Sequence, residues 1–583
     1  MFSRSHERLL SQLELARVNF TPGAPAHVLR LLHALESADF TDPDALIRFH
    51  EAVLFLRAFP QNPAVLRTAK RILNRFHEKV RALQPSRSDI EAFDTFETAG
   101  IAGTTMEDTL SFDVARWLTR RLPSAVEIAW ESYEPGRELG TSGPRFMPLL
   151  EDDAYVEADT PWRQWLETAG GSRKATPSWL LERFEELPVP DREKVELYDS
   201  LRAPLRWTLG NSRVSRTRNW RSGGNIFYHR GPLISRRQVS LADDLQRRPP
   251  SFVRLSLREG KRIADLIREI MLVRYRELYG TTLADPASVV QADVGRGVSI
   301  FLWNLPPERR LPLRAYVAGF TLKNGVPVNY IEAIGLCEWV EVGFNTFYTF
   351  RGGEAGWIYA QVLRCLCAWM GTTVVSVYPY QLGHDNDEAL QSGAFWFYRK
   401  LGFRPGHPEL LKLVELEERK ISADPNYRTP IRTLKRLAAE HVFYELPGAE
   451  VGAWDRFSTR NIGLRVNRRM AREFGGDADR MRKHARRSLE RVLRISIDSW
   501  PPLERTAFDN FALVLSMATD LPKWTEQEKK DLLQLIRAKA APEELRFLHL
   551  TQQHHRLREA LIRLGSSHPR HNLSAGIGNV ALC

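Results

Sequence analysis

Residues 351–356 read Arg-Gly-Gly-Glu-Ala-Gly, between a strand-like run (FNTFYTF) and a long apolar helical pattern (WIYAQVLRCLCAWMG). A strand that turns through glycines into a helix leaves several N–H groups unpaired at the positive end of the helix dipole. The chemistry on offer is anion binding, with Gly352, Gly353 and Gly356 letting a phosphate approach the backbone. The alternative is an ordinary tight turn. A second candidate is 201–240, which holds nine arginines and no Asp or Glu, interleaved with Trp207, Trp220, Phe227 and Tyr228. Arginine forks grip phosphates and aromatic rings stack bases. The competing reading is a connector packed on acidic neighbours such as the patch from Glu151 to Asp159.

Other chemistries find no support. The chain lacks a GxxxxGK[ST] loop, an HExxH pair and a GxSxG elbow. His554 and His555 are adjacent, so they do not share a helical face, and no metal site is read. Cys337, Cys365, Cys367 and Cys583 form no CxxC pair, which argues against a disulfide framework or a structural zinc.

The elements that must position the turn follow from hydrophobic periodicity. SFVRLSL, from Ser251, reads as a strand, and the pattern after it as an amphipathic helix ending at Gly280. Four strand-like runs follow (VSIFLWNL, RAYVAGFTL, VNYIEAIGL and WVEVGFNTFYTF), the middle two joined by Lys323-Asn324-Gly325, a tight-hairpin signal. After the Gly-rich turn come a helix, the strand TTVVSVYPY, the helix DEALQSGAFWFYRKLGF and a strand candidate, LLKLVELEE. This order predicts an α+β fold with a mixed, mostly antiparallel sheet and helices on both faces, flanked by α-helical regions. Boundaries are expected at 1–84 (helical, with a hairpin turning at Pro60 to Pro63), 85–248 (mixed helices and loops), 249–428 (the sheet) and 429–583 (helical).

The run QSGAFWFYRKLGF, from Gln391 to Phe403, resembles the Asn-x-x-Ala-x-x-x-Tyr-x-x-x-Gly-Phe signature of the GNAT acyltransferase superfamily. The upstream RGGEAG resembles that superfamily's Arg/Gln-x-x-Gly-x-Gly/Ala pyrophosphate loop, 42 residues before Tyr398 counted from Gly356. The resemblance covers about 250–420. It implies an acyl-CoA-dependent N-acyltransferase, with acetyl-CoA the expected co-substrate and an amine attacking the thioester directly. It implies further that Arg351, Gly352, Gly353, Ala355 and Gly356 hold the pyrophosphate, with Gln391 at the signature's first position. Thr346 and Tyr348 would line the pantetheine arm where two strands splay apart. Tyr398 matches the phenol that protonates the departing thiolate, and the base is expected at Glu341, with Glu338 and Glu332 as runners-up. Glu354 stands where the superfamily has glycine, and a carboxylate turned toward the phosphates would oppose them. The alternative function is a GNAT-shaped binding or scaffold protein without catalysis, meeting an anionic partner (nucleic acid or acidic protein) through its arginine-rich patches.

Composition bounds these readings. The 583 residues suggest three to five domains, with apolar content enough for real cores. The first twenty residues lack a signal-peptide core, and no apolar run reaches the length of a membrane span, so a soluble, cytoplasmic protein is expected. The net charge of +12 is concentrated: 201–240 carries +9 and 451–500 carries +7. Of the 83 basic residues 68 are Arg, a skew that speaks of genome composition as much as of chemistry. The acceptor and the oligomeric state are not legible in the sequence.

Overall fold

The periodic stretches at the N-terminus become four helices, Arg4–Ala16, Ala24–Glu36, Pro43–Ala58 and Pro63–Asn74, in a computed structural model that describes residues 4–83, 91–133, 137–147 and 162–566. Asp42 and Asn62 cap the last two by accepting from Ala45 N–H and Val65 N–H, with proline at the first helical position of each. Thirteen of the sixteen residues of Pro43–Ala58 are buried, so this helix has no solvent face and serves as the bundle's axis.

Strands β1 (Thr105–Thr109), β2 (Val126–Ile128) and β3 (Pro204–Thr208) form a small antiparallel sheet in the order β1-β3-β2. Its own core is built on Trp207, Phe184 and Leu118. The acidic patch at 151–159 and the C-terminal tail from 567 lie outside the described residues.

The main sheet has nine strands: β4 (Phe252–Arg254), β5 (Val290–Gly295), β6 (Val298–Asn304), β7 (Ala315–Lys323), β8 (Val326–Leu336), β9 (Trp339–Thr346), β10 (Val374–Val377), β11 (Arg404–Pro405) and β12 (Val442–Glu445). Their spatial order is β11-β12-β10-β9-β8-β7-β6-β5-β4. Strands β4 to β9 run antiparallel to their neighbours, β10 is parallel to β9, and β12 is antiparallel to both β10 and β11. The protein is therefore α+β with a mixed sheet. Asn324 and Gly325 both adopt positive φ (49° and 83°), as a two-residue hairpin turn between right-twisted strands requires. A parallel neighbour cannot follow through a tight turn, so β9 reaches β10 by a crossover through the Ala355–Met370 helix.

That helix covers one face of the sheet. Tyr359 packs on Phe344 with ring centroids 4.9 Å apart, and a β-carbon at Gly335 would lie 2.9 Å from Met370. The opposite face is covered at one end by the Tyr279–Thr282 turn, where Trp303 Nε1 donates to the Gly280 carbonyl (2.7 Å). At the other end Trp454 stacks on Trp339, with centroids 5.2 Å apart. One continuous apolar core joins the N-terminal helices, the sheet and the C-terminal helices.

Several expectations need correction. LLKLVELEE is not a strand but part of the Pro408–Ala423 helix, because Pro408 fixes a helical φ at its start and Leu410, Leu411 and Val414 follow helical spacing. The helix expected over 387–403 is two short helices, Asp387–Gln391 and Ala394–Arg399, broken at Gly393 in the left-handed region (φ 68°). Strand β12 comes from the stretch read as wholly helical after 429, and β5 had no sequence assignment. The amphipathic helix after β4 ends at Leu272, eight residues before Gly280.

Candidate functional site

Strands β9 and β10 pair only through Trp339↔Val374, Val340↔Val375 and Glu341↔Ser376. Strand β10 ends at Val377 and turns at Pro379, while β9 runs on to Thr346. Among the described residues, the β10-facing edge of β9 beyond Glu341 therefore has no strand partner. Thr346, half-buried, closes that edge, and Tyr348 follows it 56% exposed with the Arg351 guanidinium over its ring. Arg351 pairs with Glu388, which ties the Gly-rich turn to the short helix that ends at Gln391, itself exposed.

Register places Glu332, Gly343 and Glu341 on one face of the sheet, since Gly343 lies opposite Glu332 and Glu341 opposite Ile334. Gly343 leaves room between the carboxylates: a β-carbon there would be 3.8 Å from Glu332 Cβ and 4.0 Å from Gln381 Nε2. The two carboxylates have different electrostatics. Burial raises the Glu332 carboxyl, and the Tyr316 hydroxyl that donates to it only partly restores the ordinary value. Burial pushes Glu341 up too, but His441 Nε2 at 2.8 Å and Arg314 at 3.7 Å more than offset it and hold the group below the usual range. Glu338 lies outside this cleft. It sits in the β8–β9 turn and accepts from Trp454 Nε1 (2.8 Å) and Arg558 Nε (2.7 Å), an anchor for the C-terminal helices.

Tyr398 is buried at 4% exposure in an aromatic cluster, edge-on to Tyr359, Phe397 and Phe403. Burial raises its phenol, so it keeps its proton at neutral pH. Its hydroxyl meets no hydrogen-bond partner among the described residues.

The Arg351–Gly356 turn has three distinct surroundings. Gly352 is exposed, and a β-carbon there would meet nothing within 4 Å, whereas one at Gly353 would lie 2.8 Å from the Phe59 ring. At Gly356 a β-carbon would be 3.3 Å from Arg236 Cγ. The glycines at 353 and 356 thus admit other parts of the protein. Glu354 is fully buried and turned to the protein's own cations: Arg296 donates to it, Lys323 Nζ lies at 3.4 Å, and Ile234 N–H donates at 3.1 Å. Burial pushes this carboxyl up, but Arg296, Lys323 and Ile234 N–H outweigh it and keep it ionised below the usual range. The same burial brings the Lys323 ammonium down to about 8. The charge that would oppose a phosphate is therefore neutralised in place. Among the described residues, no protein acceptor is bonded to the N–H groups of Glu354, Ala355 or Gly356.

The arginine-rich segment divides its cations between packing and this turn. Arg216 is 2% exposed and donates to Glu51 at 3.1 Å, Arg206 pairs with Glu107 and Glu131, and Arg221 N–H donates to the Gly325 carbonyl (2.9 Å). Arg236 and Arg237 form no ion pair with any described residue. Burial, then the charges of Arg236, Arg237 and Arg428, hold the Lys400 ammonium below its usual range. Of these cations Arg236 lies against Gly356 at the start of the Ala355–Met370 helix, and the charges of Arg236, Arg237 and Arg428 reach Lys400. Sequence reasoning missed Lys400 and Arg428, which carry no local signal.

Comparison with protein-family models, with curated proteins and with solved structures gives no match for this chain. No helix among the described residues is long and apolar enough to cross a membrane.

Proposed function

We propose that the protein is an acyl-CoA-dependent N-acyltransferase. The observation that carries this reading is the run of unbonded amides at Glu354, Ala355 and Gly356, with the Arg236 side chain against Gly356. Free amides at a helix start, with a guanidinium that has no carboxylate partner beside them, suit the phosphates of CoA. Three features add support: the strand order, the crossover helix between β9 and β10, and the separation of that parallel pair after Glu341. The pyrophosphate would lie on the amides from Glu354 to Gly356 and beside the Arg236 side chain. The pantetheine arm would run along the unpaired edge of β9 toward Thr346.

In this reading Glu332 takes the proton from the attacking amine. Its raised carboxyl and its position beside Gly343 suit a base better than Glu341, whose charge is committed to His441 and Arg314. The amine nitrogen attacks the thioester carbonyl, the C–S bond breaks, and the thiolate takes a proton from Tyr398. Calorimetry with acetyl-CoA tests the assignment. Binding is expected for the parent protein, and Gly352→Asp, at a position with open surroundings, should weaken it more than tenfold. No heat at millimolar ligand sinks the proposal.

One observation favours the second reading, a GNAT-shaped scaffold without catalysis: Tyr398 is packed among aromatic rings. On that reading Tyr398→Phe leaves the protein's activity unchanged.

A further inference from the structure

The helical hairpin formed by Thr459–Phe474 and Ala478–Leu493, with its C-cap Arg494, carries twelve basic and four acidic residues over 459–494, a net charge of +8. Eleven of the twelve cations are arginines. The acids are largely committed elsewhere. Glu473 pairs with Arg469 (2.8 Å), Asp477 accepts from the Arg480 N–H as an N-cap, and Glu490 accepts from the Ile497 N–H. Arg468, Arg472, Arg480, Lys483, Arg487 and Arg491 are all exposed, and none forms an ion pair among the described residues. Elsewhere arginines such as Arg48, Arg206 and Arg404 each engage two carboxylates.

The cations are ordered along the helices. Residues 465, 468, 469 and 472 follow i, i+3, i+4, i+7 spacing, so four arginines share one helical face. Together with Glu473, Ser516, Met517 and Thr519 they line an open cleft of about 690 Å³. Positions 480, 483, 487 and 491 follow i, i+3, i+7, i+11 spacing on the second helix, which also puts them on one face. Like charges three and four residues apart destabilise a helix, so such a row needs a counter-charge from outside.

We propose that this hairpin binds the phosphate backbone of a nucleic acid. A row of regularly spaced single charges matches a polyanion with one charge per residue of its backbone, and arginine forks fit phosphate oxygens in pairs. A membrane surface fits less well, because the basic faces carry no belt of aromatic or large apolar side chains; Leu464, 41% exposed, is the one large apolar group exposed on either helix among the described residues. The proposal is independent of acyl transfer.

The test is fluorescence anisotropy on the full chain with a labelled 20-nucleotide single strand and a 20-base-pair duplex, between 50 and 200 mM salt. Polyglutamate and phosphatidylserine vesicles serve as competing polyanions. Tight binding at 50 mM is expected, with a log–log salt slope on the order of −4 for about six neutralised phosphates of a single strand. The triple variant Arg468→Gln, Arg472→Gln, Arg487→Gln should bind at least tenfold more weakly, with a slope shallower by about two and an unchanged thermal midpoint. The corresponding triple Lys variant should keep the slope while losing affinity. Absence of binding to both oligonucleotides overturns the proposal. So does polyglutamate or vesicle binding as tight as the oligonucleotides, or a folded Gln variant with the parent's slope.

Discussion

Two glutamates on one sheet face illustrate how environment assigns roles to identical side chains. Glu332 is half-buried beside one phenol and its carboxyl is raised; Glu341 is half-buried beside an imidazole and a guanidinium and its carboxyl is depressed. The first binds a proton near neutral pH more readily than an ordinary carboxylate, and the second does not. If acyl transfer is the activity, Glu332→Gln should lower kcat by about 10² or more, the usual contribution of a positioned base. The parent's pH–rate profile should rise with pH through an inflection above the usual carboxylate range, as Glu332 gives up its proton. Glu341→Gln should leave that inflection in place. Steady-state kinetics of both variants across pH 5–9 decide the matter, and an inflection that moves with Glu341 instead reverses the assignment.

The buried network around Glu51 makes a separate prediction at this scale. Burial alone would raise this carboxyl, but Arg216, His50 and Thr349 outweigh it and bring it down to about 2. His50 is fully buried and held below its ordinary range, chiefly by desolvation. Both groups have folded pKa values below their unfolded ones, so both contribute stability that is lost as pH falls. The loss begins below about 6.5 as His50 protonates in the unfolded chain, and continues from about 4.5 toward 2 for Glu51. For Glu51 the full effect is about 3 kcal/mol. Denaturant melts at pH 7, 5.5 and 4 should therefore show a progressive drop, and Glu51→Gln should be less stable at pH 7 with a flatter acid limb. An unchanged limb would remove Glu51 from the account.

At the scale of elements, the turn between β7 and β8 is where the arginine-rich strap is fastened. Gly325 accepts from Arg221 N–H, and Asn324 bonds the backbone of Phe227 and Ala58, so one two-residue turn holds the sheet, the strap and the N-terminal helices. Gly325→Ala adds a β-carbon that collides with the Arg221 carbonyl at a positive φ. The expected cost is about 2 kcal/mol or more, read as a lower denaturation midpoint with unchanged slope. This turn was legible in the sequence because Asn-Gly states its own backbone geometry. The Gly-rich turn and its helix were legible for the same local reason. Strand β12 was not, because four residues flanked by helices have no periodicity to distinguish them. The partners of Glu354 were not either: Arg296 and Lys323 lie 58 and 31 residues away, and only the folded sheet brings them together. The glycines of the turn carried a mixed message, since Gly352 is open while Gly353 and Gly356 receive Phe59 and Arg236.

At the scale of the whole molecule, the region 249–428 does not hold its own core. Strand β12, which separates β10 from β11, comes from 442–445, beyond the boundary at 428. Leu548 packs on the same sheet face as Met370, and Trp454 stacks on Trp339. Phe59 from the N-terminal helices touches Gly353. Lys539 and Glu544, a buried pair 2.6 Å apart, bond the Arg314 carbonyl and the Tyr316 N–H at the start of β7. A fragment of 249–428 would expose the apolar groups under all of these contacts and leave the edge of β10 unpaired, a template for aggregation. Such a fragment should lack a cooperative thermal transition, whereas the full chain should melt with the sheet and both helical flanks together. Circular dichroism and calorimetry of the fragment beside the full chain measure this. A soluble fragment with its own sharp transition would mean that the flanks are accessories to an independent domain, and that the shared core contributes little to its stability.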